Sequence, residues 1–198
     1  MLVQSEQSIY LASRSPRRQE LLAQIGVKFE VMEIDVDESV LDGESPRAYV
    51  DRLARAKAEA GWRRVERDNL PRAPVRGADT TVAVDGRILG KPADGLEAAE
   101  MLAALSGRLH EVLTAVAVKH DSRLESAVSV SEVRFKTLSK EEIARYIGTG
   151  ECEDKAGAYG IQGHAARFVA ELRGSFSGVV GLPLYETAQL LERIGSAA

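Results

Sequence analysis

Apolar and polar residues follow two periods along this chain, and the switches between them mark its elements. Residues 9–13 (IYLAS) are a short apolar run that predicts a buried strand. Ser15-Pro16 then opens a helix, because serine caps well and proline fits the first turn, where its missing N–H costs nothing. Leu21, Leu22 and Ile25 lie on one stripe of that helix and Gly26 ends it. Residues 29–34 predict the next strand. Ser45-Pro46 repeats the start signal for a helix running to Gly61, with Val50, Leu53 and Lys57 at spacings that share one face. Lys57 thus lies on or beside an apolar stripe, where a purely solvated lysine is not expected.

Further along, residues 82–84 and 88–89 flank Asp85-Gly86, a strong hairpin signal. Asp94 with Glu97 resembles a capping box for a helix ending near Gly107. Residues 109–118 and 128–135 alternate as two long strands, with Asp121-Ser122 between them. Ser139 and Glu142 form a second capping pattern, with Ile143, Tyr146 and Ile147 behind it. Residues 148–163 are glycine-rich, 168–172 predict a strand, and 183–194 an amphipathic helix ending at Gly195. Residues 63–74 (RRVERDNLPRAP) mix charge with two prolines and read as a surface connection. No internal repeat is present. Interleaved strands and helices with hairpins predict an α/β fold with a mixed sheet, and 198 residues suit one domain over 1–198.

Composition narrows the function. With 44% hydrophobic residues the chain can build a core. Lys plus Arg number 26 against 30 Asp plus Glu, a net charge of −4, which argues against a grip on a nucleic-acid polymer but allows a small anionic ligand. One cysteine, Cys152, makes neither an internal disulfide nor a thiolate zinc cage. No apolar run spans a bilayer and Met1–Ser8 shows no signal-peptide pattern, so a cytoplasmic address is expected.

Five patches carry candidate chemistry. Ser13-Arg14-Ser15-Pro16-Arg17-Arg18 joins a strand to a helix N-terminus, where free N–H groups, the helix dipole and guanidinium groups favour an anion; a capped surface helix with stray arginines is the plainer reading. Asp35-Val36-Asp37-Glu38 can hold a hard cation, or is a solvated acidic turn. Gly77-Ala78-Asp79-Thr80-Thr81 sets an acid in an apolar strand, where it needs a cation or a metal; capping a turn is the alternative. Leu89-Gly90-Lys91-Pro92 offers a lysine suited to phosphate, or a surface turn. Residues 151–163 (ECEDKAGAYGIQG) place Lys155, Tyr159 and Gln162 on a loop, and a glutamine amide can both donate to and accept from a base edge. The histidines His110, His120 and His164 show no ligand spacing, and nucleotide-loop, zincin and serine-elbow motifs are absent. Asp35-x-Asp37-x-Ser39 looks like the DxDx[TV] signature of haloacid-dehalogenase-type phosphatases, but departs at its last position and lacks a GDxxxD partner.

Taken in order, the segments LASRSPRR, DVDE, LARAKA, GADTTV, LGKP, LSG, GECEDKAGAYGIQG and VVGLPL resemble the Maf family of nucleoside triphosphate pyrophosphatases, over residues 11–184. The resemblance implies a mixed, elongated sheet with flanking helices and two lobes around a cleft, similar to inosine-triphosphate pyrophosphatases. It implies a cytoplasmic enzyme, commonly a homodimer, that splits a nucleoside triphosphate into monophosphate and pyrophosphate with a divalent metal (Mg2+ or Mn2+). Carried onto this chain, Asp79 is the proton acceptor and, with Glu38, the metal site. Ser13, Arg18, Lys57, Lys91 and Lys155 line the phosphates. Arg17, Thr80 and Gln162 match the dTTP/UTP branch at the three positions where the 7-methyl-GTP branch tends to show Trp, Gln and Glu. No residue in this set is an obvious covalent nucleophile, so a metal-activated water attacking the α-phosphorus is the simplest mechanism, and the family chemistry gives Cys152 no role. The family's name comes from an effect on cell division, so a nucleotide-sensing regulator is the competing function; membranes and nucleic-acid polymers are not expected partners.

Overall fold

The computed structural model describes residues 8–195. Its elements are β1 (Ile9–Leu11), α1 (Pro16–Gln24), β2 (Phe29–Val31), α2 (Pro46–Arg67), β3 (Val75–Val84), β4 (Arg87–Leu89), α3 (Gly95–Leu105), β5 (Leu109–His120), β6 (Arg123–Phe135), α4 (Lys140–Ile147), β7 (Val169–Arg173), α5 (Phe176–Val180) and α6 (Leu184–Gly195). Among the described residues, seven strands form one mixed sheet in the order β2-β1-β3-β5-β6-β7, with β4 on β3. The β1–β2 and β1–β3 pairs are parallel and all others antiparallel. The predicted α/β mixed sheet with flanking helices is what the chain forms. No helix among the described residues is long and apolar enough to cross a membrane.

Local chemistry explains the starts and turns. Asp94 accepts from the N–H groups of Leu96 and Glu97, and Ser139 with Glu142 makes both bonds of a capping box. The Asp94 motif is not reciprocal, since Glu97 reaches back to Ala93 N instead. Asp85 and Gly86 both take positive φ (51° and 74°), which suits the right-handed twist of the β3–β4 hairpin. Ser15 occupies the cap position of α1 but its side chain makes no capping bond.

Tertiary packing overrides the pattern at several boundaries. β1 ends at Leu11 and β2 at Val31, short of the predicted 13 and 34, so Asp35–Glu38 lies on an irregular segment and not at a strand end. Gly61 does not stop α2, which continues to Arg67 because Trp62 and Val65 are buried against Tyr10, Met32 and Val75. A Cβ at Gly61 would come within 2.5 Å of Val75 Cγ1, so this glycine permits close packing instead of terminating. The predicted connection over 63–74 therefore shrinks to 68–74. β6 begins at Arg123, well before 128, and the sequence pattern missed α5.

On one face of the sheet, α2 lies over β3 and β5 on a layer of small residues, Ala54, Ala58, Ala83, Ala115 and Ala117, with Val50 and Leu113. On the other, α1, α3, α4 and α6 pack a larger core that includes Leu22, Leu102, Tyr146 and Leu190. The register leaves one opening. β3 pairs β5 continuously over residues 75–83 on one edge. On its opposite edge β1 covers residues 75–76 and β4 covers 82–84. Among the described residues, no strand lies beside the stretch Gly77-Ala78-Asp79-Thr80-Thr81 there.

Candidate active site

A cavity of about 680 Å³ opens at that uncovered stretch of β3. Its size suits a nucleotide-sized ligand, and a crevice beyond the carboxyl end of a parallel strand is a common ligand position. Because side chains alternate along a strand, Asp79 points to the α2 face and Thr80 to the α1 face, yet both line the cavity at the open edge.

On the α2 side, Lys57 Nζ donates to Asp79 Oδ1 at 2.8 Å and pairs with Glu38 Oε1 at 2.6 Å. The Lys57 and Asp79 side chains are only 12% and 10% exposed, so this contact works in a low dielectric. Gly77 lets it form: a Cβ there would lie 2.2 Å from Ala54 O, and its absence brings α2 down onto β3. Burial raises the Asp79 carboxyl above its ordinary value, outweighing the pull of Lys57 and Arg18. Burial also works to raise Glu38, but the Lys57 hydrogen bond and charge, with Lys91 and Arg18, win and hold it below its ordinary value. Glu38 sits on the irregular segment 32–45. There Tyr49 Oη donates to Glu38 O at 2.9 Å, and Arg52 ties Ser39 O to the Glu44 carboxylate. The Tyr49 phenol is pushed up to about 12 by burial, then by Asp79 and Glu38.

On the α1 side, Arg18 Nε donates to Gly181 O at 2.9 Å, Nη1 to Ser13 Oγ and Nη2 to Thr80 Oγ1, both at 3.2 Å. Burial lowers the pKa of this guanidinium, which nonetheless stays charged. Thr114 Oγ1 spends its one proton on Gly178 O at 2.7 Å. In the 3.0 Å contact between Thr80 and Thr114, Thr80 must therefore be the donor. With its proton committed, the Thr80 hydroxyl has only a lone pair to offer a ligand.

The third wall is the loop between α4 and β7, which contributes Glu151, Asp154, Lys155 and Gln162. Lys155 Nζ donates to Glu151 O at 2.6 Å, and burial, then Arg17, lowers its pKa. Arg17 and Lys91 line the same cavity.

The fold thus gathers Arg17, Arg18, Glu38, Lys57, Asp79, Thr80, Lys91, Lys155 and Gln162 around one space. Ser13 does not line it; its hydroxyl sits behind Arg18, accepting from that side chain and from Ser15 N. Asp35 and Asp37 are outside it too. Asp37 caps Ser39 N, and Asp35 lines a separate cleft with Arg63, Arg64 and Arg67, an arrangement unlike a phosphatase aspartate pair. Sequence reasoning missed Ser15, Tyr49, Glu151 and Gly181. Ser15, Glu151 and Gly181 lay inside segments already singled out, whereas Tyr49 carried no signal.

Among the described residues, no three His, Cys, Asp or Glu side chains gather as a cation site. The donor set is two carboxylates, Glu38 and Asp79, meeting at one ammonium. Magnesium-type ions are held by one or two carboxylates together with substrate phosphates, so this set fits an ion that shares its ligands with a triphosphate.

The family model described as Maf-like protein matches residues 8–194. A dTTP/UTP pyrophosphatase of Aromatoleum aromaticum is 57% identical over 196 residues, covering 94% of this chain and 95% of the relative. Proteins of the same name from Chromobacterium violaceum (54%, 94% of each chain) and Nitrosomonas europaea (51%, 98% of each chain) are similar over nearly their whole length.

Proposed function

The chain belongs to the Maf-like protein family, and from that premise we propose that it hydrolyses dTTP and UTP to the nucleoside monophosphate and pyrophosphate. One observation carries the reading: Asp79 and Glu38 converge on Lys57 at the edge of a cavity that Arg17, Arg18, Lys91 and Lys155 also line. Two carboxylates among that many cations suit a divalent ion and a polyphosphate together, and the burial that raises the Asp79 carboxyl favours it as the proton acceptor.

Asp79, with its raised carboxyl, accepts the proton of the water that attacks the α-phosphorus. Glu38 and Asp79 would hold a Mg2+ or Mn2+ ion, which when bound supplies Lewis acidity and charge neutralisation. A triphosphate carries roughly four negative charges. Arg18, backed by Ser13, and Lys57, Lys91 and Lys155 receive them, and the same preorganised cations stabilise the charge that grows on departing pyrophosphate. Arg17, Thr80 and Gln162 read the nucleoside, Thr80 as an acceptor. The homodimer and the cytoplasmic address implied by the resemblance belong to the same proposal.

The test is a panel of dTTP, UTP, GTP and 7-methyl-GTP with Mg2+ or Mn2+, scored for pyrophosphate against orthophosphate. Pyrophosphate with dTMP or UMP is expected. Asp79→Asn should keep the fold and lower kcat about 100-fold or more. Near-normal pyrophosphate release by that variant defeats the assignment of Asp79. Orthophosphate points to a phosphatase, a 7-methyl-GTP preference to the other branch, and tight binding without turnover to a nucleotide sensor.

A further inference from the structure

The loop that brings Lys155 and Gln162 to the cavity follows a path that its own backbone resists. Asp154 and Ala158 take positive φ (57° and 60°), a region costly for residues with a Cβ, and Gly150 and Gly157 join them at 72° and 67°. Such a path persists only where contacts over-determine it. At its middle, Gly157 N donates to Gly90 O at 3.0 Å, and Tyr159 Oη meets His110 Nε2 at 2.9 Å in the core.

Its ends are held by one side chain. Glu151 Oε2 accepts from His164 N at 2.7 Å, while Oε1 accepts from Tyr146 Oη at 3.1 Å and from Ala165 N at 3.4 Å. The carboxylate lies directly on Gly163, where a Cβ would sit 2.2 Å from Oε2. Tyr146 Oη in turn accepts from Gly160 N at 3.3 Å. Glu151 O takes the hydrogen bond from Lys155 Nζ. Burial would raise this acid, but the N–H groups of His164 and Ala165 and the Tyr146 hydroxyl together hold it below its ordinary value. With three donors on two oxygens, Glu151 is committed to the loop, although it borders a cavity lined by Arg17, Arg18, Lys91 and Lys155.

We propose that Glu151 is a positioning residue for the hydrolysis: its carboxylate closes residues 151–165 into a ring that presents Lys155 and Gln162 to the nucleotide. This rests on the reading of Lys155 as a phosphate ligand and Gln162 as a base reader. A carboxylate is required because an amide has one acceptor oxygen and would set an NH2 against one of the backbone N–H groups.

The experiment compares wild type with Glu151→Gln and Glu151→Ala in two ways. Steady-state hydrolysis of dTTP and GTP should show KM for dTTP rising about tenfold with a smaller change in kcat, because Asp79, Glu38 and Lys57 stand on other elements. The preference for dTTP over GTP should fall as Gln162 loosens. Amide hydrogen exchange without nucleotide should quicken across residues 154–164 and stay unchanged in α2 and β3. Wild-type exchange over 154–164, or losses equal on dTTP and GTP, overturns the proposal. If the alanine variant does not fold, the glutamine variant reads the same quantities. Wild-type protein that fails to turn over dTTP defeats the substrate reading alone, and the exchange measurement still decides whether the ring depends on Glu151.

Discussion

Arg76 stands in an environment that opposes its chemistry. It is fully buried in β3, and among the described residues nothing hydrogen-bonds its Nε, Nη1 or Nη2. Burial pushes the guanidinium pKa well down and the charge of Arg18 pushes it further, but an arginine does not shed its proton. Its Cα partners, Leu11 and Val118, belong to the apolar core. A charge held there opposes folding, and replacing buried charges by apolar side chains of similar volume is often stabilising by about 1–4 kcal/mol. Arg76→Met should therefore raise the urea midpoint with the slope unchanged. A lower midpoint would show that the guanidinium carries a stabilising interaction. His110 meets the same problem differently. Burial lowers its pKa to about 4, so the ring is neutral at pH 7 and keeps its bond to Tyr159.

At the scale of elements, the contact between α2 and β3 sets the distance between Lys57 and Asp79. The small residues beneath α2 let its axis approach the sheet, and Lys57 emerges from that contact directly onto Asp79. Gly77 is the tightest point. A Cβ would meet Ala54 O at 2.2 Å and Ala58 N at 2.6 Å, both backbone atoms that cannot rotate away. Gly77→Ala must lift the helix, which should cost about 1–3 kcal/mol or more. Because the lift also separates Lys57 from Asp79, kcat should fall in protein that still folds at low temperature. Denaturation and initial rates measured on one preparation check both effects. A variant with normal stability would show that α2 is not seated as tightly as the distances indicate. The same reasoning explains why Gly61, read from sequence as a helix end, lies inside α2.

At the scale of the molecule, the sheet organises everything around β3. Its continuous pairing with β5 leaves the other edge to β1 and β4, and the gap between those two short strands is the cavity. Walls from the start of α1, from segment 32–45 and from the α4–β7 loop meet there, so a ligand bound in the cavity would touch side chains that also hold the fold together. We propose that residues 1–198 form one cooperative unit. A calorimetric scan should give a single transition, with calorimetric and van't Hoff enthalpies equal. A non-hydrolysable dTTP analogue at about 100 times its Kd, with Mg2+, adds about 2.7 kcal/mol. That should move the whole transition upward by roughly 5–10 °C. Two separable transitions, only one of them shifted, would contradict the single unit.

Much of the local structure was legible in the amino-acid order because it depends on neighbours. The Ser139–Glu142 box joins residues three apart, and the Asp85-Gly86 turn needs only two adjacent conformations. The order of the motifs likewise pointed to Asp79, Lys57, Arg18 and Gln162, and Lys57 was conspicuous as a charge on an apolar stripe. What the order alone could not decide depends on groups far apart in the chain. Arg18 reaches Gly181 across 163 positions, and Lys57 reaches Asp79 across 22. The true ends of α2 and β2, the burial of Arg76, and the commitment of Glu151 to its loop follow from packing. Periodicity records which side of a strand or helix is buried, but not what it is buried against.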